Sequence, residues 1–179
     1  MDAARYGRRV RVVEVLVSVA LAVAAWLALG SVPAMVPALA VAAVTPALVR
    51  VDLAEHRLPN RMVIPALAAG GVGLLLSSGV SGELPIIPLL AALIYAGLLF
   101  VLALFGGMGM GDVKLAAALG LASPTVTIAL ASPLLAFLFG GVAAVIVLIR
   151  RGRKARIAFG PFLLAGYFAA LVLSALTAG

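Results

Sequence analysis

The sequence contains no cysteine and only one histidine. The lack of cysteine excludes disulfides, a cysteine nucleophile and thiolate metal sites, and a single imidazole makes a histidine metal centre improbable. Charged residues are also scarce, at 11% of the chain against roughly 25% in soluble domains, whereas 65% of the residues are hydrophobic. This composition excludes a soluble globular domain and indicates an integral membrane protein, for which we expect no metal or other cofactor.

Alternating apolar and polar residues, the pattern of a membrane β-barrel, are missing as well. The apolar runs are continuous for about 20 residues at a time, as membrane-spanning helices require. No polar stretch is long enough for a second, soluble domain. We therefore predict an all-α, polytopic membrane helix bundle that forms one domain over residues 1–179, with an extra N-terminal helix in 1–31 and the core in 32–179.

The net charge of +7 and the pI near 11.1 come from basic residues in short loops between apolar runs. This placement predicts contacts with anionic lipid headgroups on the cytoplasmic side, whereas nucleic-acid binding would need a basic face on a soluble module. Four arginines among the first eleven residues place the N-terminus in the cytoplasm. They also resemble the start of a signal peptide, but the apolar run is too long for one, so an uncleaved helix is favoured.

Apolar runs predict helices with approximate bounds of 12–29, 35–49, 63–76, 84–105 and 158–178. The second of these helices is expected to end where Arg50 and Asp52 reintroduce charge, before a polar loop in which Pro59 and Asn60 mark a turn or a new helix start. Residues 77–83, SSGVSGE, are expected to form a turn on the outside. The basic run 150–156 is interpreted as a topology signal.

The uncharged stretch from Leu115 to Ile149 allows two interpretations, because its 35 residues fall short of the roughly 40 that two crossings need. In one, a short helix begins at Gly111 or Asp112 and turns at Pro124 before another helix returns, with an interruption at Pro133. That gives about seven spans and puts all thirteen Lys and Arg residues on one side. In the other, only 128–149 crosses and Asp112 lies outside. The charge asymmetry favours the first.

Two of the six acidic residues, Asp52 and Asp112, are then predicted at the same membrane face. If their helices are neighbours, the two carboxyl groups can share a water molecule, with one carboxyl protonated while the other removes a proton from the water. Such a pair can hydrolyse a peptide without a metal or a covalent intermediate. The predicted chemistry is that of an aspartic protease.

Simpler interpretations of these residues stay open. Asp52 can pair with Arg50 or Arg57, and Asp112 can serve as a helix N-cap. The glycines before Asp112 permit close approach of another backbone, but they also suit close helix packing. Glu55 and His56 fit a solvated loop.

Three stretches carry a resemblance to a known family: DLAEHRLPN from Asp52, GMGMGDVKLAAALG from Gly107, and AFGPFLLAG from Ala158. From about Val36 onward the chain resembles the prepilin peptidases, or type IV leader peptidases, which are GxGD membrane aspartic proteases. The resemblance implies a catalytic dyad of Asp52 and Asp112. It also implies candidates for substrate binding or site support, namely Gly109, Gly111, Lys114 and Asn60.

The resemblance further implies that the substrate is a prepilin whose basic leader is cut at the cytoplasmic face of the inner membrane. The chain differs from large bacterial members, because it lacks their cysteine-rich loop and their preceding methyltransferase region. Cleavage without N-methylation is therefore expected, as in short members that serve Tad/Flp-type or archaeal pilins. The pilin type and the oligomeric state stay open.

Two other classes of protein are alternatives to a protease. A small transporter can use the same aspartates to bind ions or relay protons, but it predicts polar residues along the spans, where this sequence has almost none. A membrane scaffold leaves the aspartates unexplained.

Overall fold

A computed structural model of the protein describes residues 3–30, 32–106, 108–151 and 157–177. These residues form seven α-helices and no strand, which confirms the all-α prediction for the described part of the chain. The helices are α1 (Ala3–Leu29), α2 (Val32–Glu55), α3 (Asn60–Ser81), α4 (Ile86–Leu104), α5 (Met110–Leu121), α6 (Val126–Arg151) and α7 (Gly160–Thr177).

Six of these helices are long and apolar enough to cross a membrane, and α5 is the exception. Its 12 residues extend only about 18 Å at a rise of 1.5 Å per residue, against a hydrocarbon core of about 30 Å. The fold is therefore that of a multi-pass membrane protein in which one short helix lies among long ones.

Two predicted helix ends were wrong. The second helix does not stop at the charges but continues to Glu55, so that Asp52 lies inside α2. A charge does not break a helix when its side chain finds a partner, and here Arg50 Nε lies 2.9 Å from Glu14 Oε1. The third helix continues through most of the predicted outer turn and ends at Ser81, followed by the C-cap Gly82, whose φ of +73° suits glycine.

The interruption predicted at Pro133 was also wrong, because α6 continues through this residue. Membrane helices tolerate proline when neighbouring helices and local adjustments compensate for the missing N–H. The turn predicted around Pro124 does separate α5 from α6. Of the basic run 150–156, residues 152–156 lie outside the described residues.

Short α5 is in the interior of the bundle, against α3, α4, α7 and α2. Six of its twelve residues are buried, namely Val113, Leu115, Ala116, Ala118, Leu119 and Gly120. A side chain at Gly120 would collide with the α4 backbone at Ala92, so the glycine allows the two helices to pack closely. On the other side of the bundle α6 packs against α7, where Gly166 lies against the backbone of α6.

Candidate active site

A cavity of about 770 Å³ opens where the α2–α3 turn, the α4–α5 loop and the segment before α7 come together. The residues that line it include both aspartates predicted as catalytic, together with Gly109 and Gly111. The lining residues are Asp52, His56, Arg57, Leu58, Gly106, Met108, Gly109, Met110, Gly111, Asp112, Phe137, Gly140, Gly141, Ala144, Ile157, Ala158 and Phe159. The alternative topology, which separated Asp112 from Asp52, therefore does not describe this structure.

Asp52 is held by the beginning of α7. Asp52 is only 4% exposed, and its Oδ2 atom accepts a hydrogen bond of 3.0 Å from the backbone N–H of Gly160. The first N–H groups of a helix have no partner within the helix and lie at its positive end, so they suit a carboxylate. A Cβ atom at Gly160 would lie 2.7 Å from the same oxygen, which makes glycine the fitting residue there.

Asp112 is held by its own helix. Its Oδ2 atom accepts a hydrogen bond of 3.2 Å from the N–H of Gly109, and its backbone N–H donates to the Gly109 carbonyl at 3.0 Å. The N-cap position is therefore taken by Gly109, which has an extended backbone, and the predicted N-cap role of Asp112 was off by three residues. Asp112 and Asp52 are close enough for their charges to interact.

The pairing of Asp52 with Arg50, one of the simpler interpretations, is not found in the structure. The guanidinium of Arg50 pairs with Glu14 of α1, whereas Asp52 accepts the hydrogen bond from Gly160. Arg57 and His56 both line the cavity, so a positive group and an imidazole border the site. His56 also begins the turn after α2, with a left-handed φ of +52°.

Leu58 occupies the space between the first turns of α5 and α7. A Cβ atom at Gly111 would lie 2.7 Å from Leu58 Cβ, and one at Gly160 would lie 3.1 Å from Leu58 Cδ2. Both glycines thus leave room for the same leucine, which is 9% exposed. Because α2 carries Asp52 and α5 carries Asp112, this packing fixes the two aspartate-bearing helices relative to one another.

Lys114 and Asn60 meet outside the cavity lining. Lys114 Nζ donates a hydrogen bond of 2.9 Å to Asn60 Oδ1, which joins α5 to the beginning of α3. Asn60 is the first residue of α3, which confirms the helix start predicted at Pro59 and Asn60, and Pro59 takes the N-cap position without a side-chain cap. The pair therefore connects α5 to α3, but neither of its two residues lines the cavity.

Two residues around the site were not predicted. The stretch that contains Gly160 was noticed for its resemblance to the family, but its contact with Asp52 spans 108 positions in sequence. Leu58 looked like an ordinary apolar residue in a polar loop. In the described part of the chain, no group of three or more His, Asp or Glu side chains is arranged to hold a metal ion.

The fold defines a multi-pass membrane protein, with two carboxyl groups in one cavity. The chain belongs to the type IV leader peptidase family, because that family's model matches residues 39–149, more than half of the 179 residues. The match includes Asp52 and Asp112 and ends before Gly160. Neither the curated proteins nor the solved structures contain a match to the chain. Membership makes the protein a leader-peptidase-like protease, with pilin-like proteins as the substrates that the family implies.

Proposed function

We propose that this protein is an aspartic endopeptidase that removes the basic leader from type IV pilin-like prepilins of the Tad/Flp or archaeal kind. One observation carries the proposal: Asp52 and Asp112 come from distant helices and line the same cavity in an otherwise apolar bundle. Ionisable groups in membrane helices are costly and are default candidates for function. Membership of a peptidase family supports this assignment.

In the proposed mechanism, a water molecule lies between the two carboxyl groups. The ionised carboxylate removes a proton from the water, whose oxygen attacks the peptide carbonyl carbon while the protonated carboxyl donates its proton to the carbonyl oxygen. The tetrahedral intermediate then collapses as a proton passes to the leaving amide nitrogen. Because the two groups titrate as a pair, the roles of acid and base belong to the pair and are not divided between Asp52 and Asp112 here.

The cavity has two kinds of border, which suits a substrate with a polar and an apolar part. His56, Arg57 and the aspartates form a polar border, whereas Phe137, Phe159 and the small residues of α6 form an apolar one. We expect the apolar helix of the prepilin to lie on the α6 side. Gly109 and Gly111 are candidates for binding the extended segment that is cut, because their missing side chains leave the backbone accessible.

We further propose an orientation in the inner membrane with the N-terminus and the cavity on the cytoplasmic side, and with α5 as a short seventh span in a single peptidase domain. The basic residues near the α2–α3 turn, Arg50, Arg57 and Arg61, support this orientation. Single cysteines at Arg57 and Glu83 test it, since only the first should be labelled from the cytoplasmic side. The turn between α2 and α3 has four residues, 56–59, which leaves no space for a cysteine-rich element, and N-methylation is not expected.

The decisive experiment uses the full chain in detergent or liposomes with a prepilin that has a basic leader and an apolar helix. Asp52→Asn and Asp112→Asn should each reduce leader removal at least about 100-fold, as measured by mass spectrometry, because each removes a group that transfers a proton. Glu83→Gln is the matched control, since Glu83 is an exposed carboxyl outside the cavity lining. Full activity of either aspartate variant would contradict the proposal.

Flux and cleavage measured in the same liposomes distinguish a protease from a transporter. Proton or cation flux that needs both aspartates, without any cleavage, would favour transport. Cleavage that needs both, without flux, supports the peptidase.

A further inference from the structure

The side chain of Phe159 lines the cavity, and its backbone begins the helix that holds Asp52. The Phe159 carbonyl oxygen accepts hydrogen bonds from the N–H groups of Phe162 and Leu163, at 3.0 Å and 3.2 Å, so this residue belongs to the first turn of α7. The next residue is Gly160, whose N–H donates to Asp52 Oδ2. One aromatic ring of the cavity wall is thus attached directly beside the group that holds a proposed catalytic carboxyl.

One face of α6 supports this ring. Four residues that line the cavity recur at the spacing of a single helical face, namely Phe137, Gly140, Gly141 and Ala144. The centroid of the Phe159 ring is 5.5 Å from that of Phe137, and a Cβ atom at Gly140 would lie 2.5 Å from Phe159 Cε2. Because glycine has no Cβ atom, the ring can pack directly on α6.

The rest of the ring borders open space. Phe159 is only partly buried, and a Cβ atom at the neighbouring Gly141 would meet no atom within 4 Å. Apolar surface that is removed from water contributes about 25 cal/mol per Å², so an apolar side chain of the substrate gains by covering the ring. Both aspartates line the same cavity, so this side chain belongs to the part of the substrate near the bond that is cut.

We propose that Phe159 is a positioning residue for Asp52 that responds to the substrate. An apolar side chain of the prepilin covers the ring, which is then confined between the substrate and Gly140. Because Phe159 and Gly160 are consecutive, confinement of the ring holds the Gly160 N–H against Asp52 Oδ2. Binding energy from the apolar part of the substrate thereby orients the carboxyl group and raises kcat as well as affinity. The inference rests on the proposed function, since it takes Asp52 to be catalytic.

The test compares two prepilin substrates, with the full chain in liposomes. One is the unchanged prepilin, and in the other the apolar residues of the first helical turn after the cleavage site are alanine. The wild type should cleave the alanine substrate with a kcat about tenfold lower. Phe159→Ala should show about the same tenfold loss on the unchanged prepilin and should cleave the two substrates with nearly equal kcat values, because the ring and the side chains that cover it act together.

Phe168→Ala is the matched control, because it removes an aromatic ring from the same helix outside the cavity lining. Phe168 is 8% exposed, and its ring packs edge-on against that of Tyr167 with the centroids 5.3 Å apart. Its loss should lower the melting temperature at least as much as Phe159→Ala does, yet retain the difference in kcat between the substrates. If the control also loses this difference, the effect is one of packing in general and the proposal is overturned.

Three further results would overturn the proposal. The first is a wild type with the same kcat for both substrates, because the apolar side chains then contribute nothing to catalysis. The second is wild-type kcat in Phe159→Ala. The third is a loss of kcat by the same factor on both substrates in Phe159→Ala, which would mean that the ring does not respond to the substrate.

Gly140→Ala displaces the ring without removing it. The added Cβ atom collides with the ring, so kcat on the unchanged prepilin should fall about fivefold, whereas in a Phe159→Ala background the same substitution should change kcat less than about twofold. Gly141→Ala should alter KM alone, because its methyl group meets no atom and only narrows the space for the substrate. An equal loss from Gly140→Ala with and without the ring would contradict the proposal.

Failure of this inference is distinguishable from failure of the proposed function. If Asp52→Asn is inactive while Phe159→Ala keeps the wild-type difference between the substrates, only the positioning role fails. An active Asp52→Asn variant removes the proposed function itself.

Discussion

The two aspartates of the cavity are held in different ways. Asp112 accepts a hydrogen bond from Gly109, three residues away in its own helical turn, whereas Asp52 accepts one from Gly160, 108 residues away at the beginning of another helix. The first arrangement forms whenever α5 forms. The second exists only when α2 and α7 are packed in the bundle. One half of the site is therefore a local structure and the other half is a product of tertiary packing.

This comparison predicts that the same small change has different effects at different glycines around the site. An added methyl group should be most harmful where it would collide with an aspartate oxygen of the cavity, less so where it would collide with a neighbouring loop, and least where its nearest neighbour lies at an ordinary van der Waals distance. The three glycines that contact the two aspartates or Leu58 cover these cases.

Gly160→Ala should have the largest effect, with kcat/KM reduced about 100-fold, because the new Cβ would lie 2.7 Å from Asp52 Oδ2 and must displace the carboxyl group. The measurement is leader removal from the prepilin substrate. Gly71→Ala is the matched control, since a Cβ there has no atom within 4 Å. Equal activities of the two variants would mean that the contact between α7 and Asp52 does not matter for catalysis.

Gly111→Ala should have an intermediate effect of about tenfold on kcat/KM. Its Cβ would lie 2.7 Å from Leu58 Cβ and 3.1 Å from the Leu58 carbonyl oxygen, so that the α2–α3 turn has to move away from α5. Leu58→Gly removes that Cβ atom and should restore part of the activity, whereas Leu58→Ala keeps it and should not. Equal rescue by both would show that the loss arises elsewhere.

Gly109→Ala should have the smallest effect, with kcat within about threefold. The new Cβ would lie 3.5 Å from Asp112 Oδ2, an ordinary van der Waals contact, and the φ of −86° is accessible to alanine. The backbone N–H that holds Asp112 is retained. A rise in KM alone would indicate that the substrate approaches this residue, whereas a large fall in kcat would contradict the view that backbone geometry is enough to hold Asp112.

The sequence was sufficient for the local half of the site and for the class of fold. Continuous apolar runs predict helices because only a helix satisfies its own backbone in lipid, and seven helices are found in the described residues. The GxGD element predicts a helix that begins near Asp112, and α5 begins at Met110. Assignment of Asp52 and Asp112 to one dyad stays a prediction, to which their shared cavity lends support.

The helix ends and the role of Leu58 could not be predicted, because they depend on contacts between residues that are distant in sequence. The charges at Arg50 and Asp52 suggested the end of a helix, but Glu14 and Gly160 satisfy them and α2 continues to Glu55. Pro133 suggested an interruption, which packing against neighbouring helices overrides. Leu58 gained its importance only from two glycines that are distant in sequence, Gly111 and Gly160.

The hydrogen bond from Gly160 to Asp52 also has a meaning for biosynthesis. Ribosomes deliver α2 to the membrane more than 100 residues before α7, so for that interval Asp52 lacks the N–H that holds it in the finished protein. If Asp52 is catalytic as proposed, the chain passes through the membrane-insertion machinery with an incomplete catalytic centre, and we expect cleavage only after α7 has docked. Late docking of one helix would then delay the onset of proteolysis until the bundle is assembled.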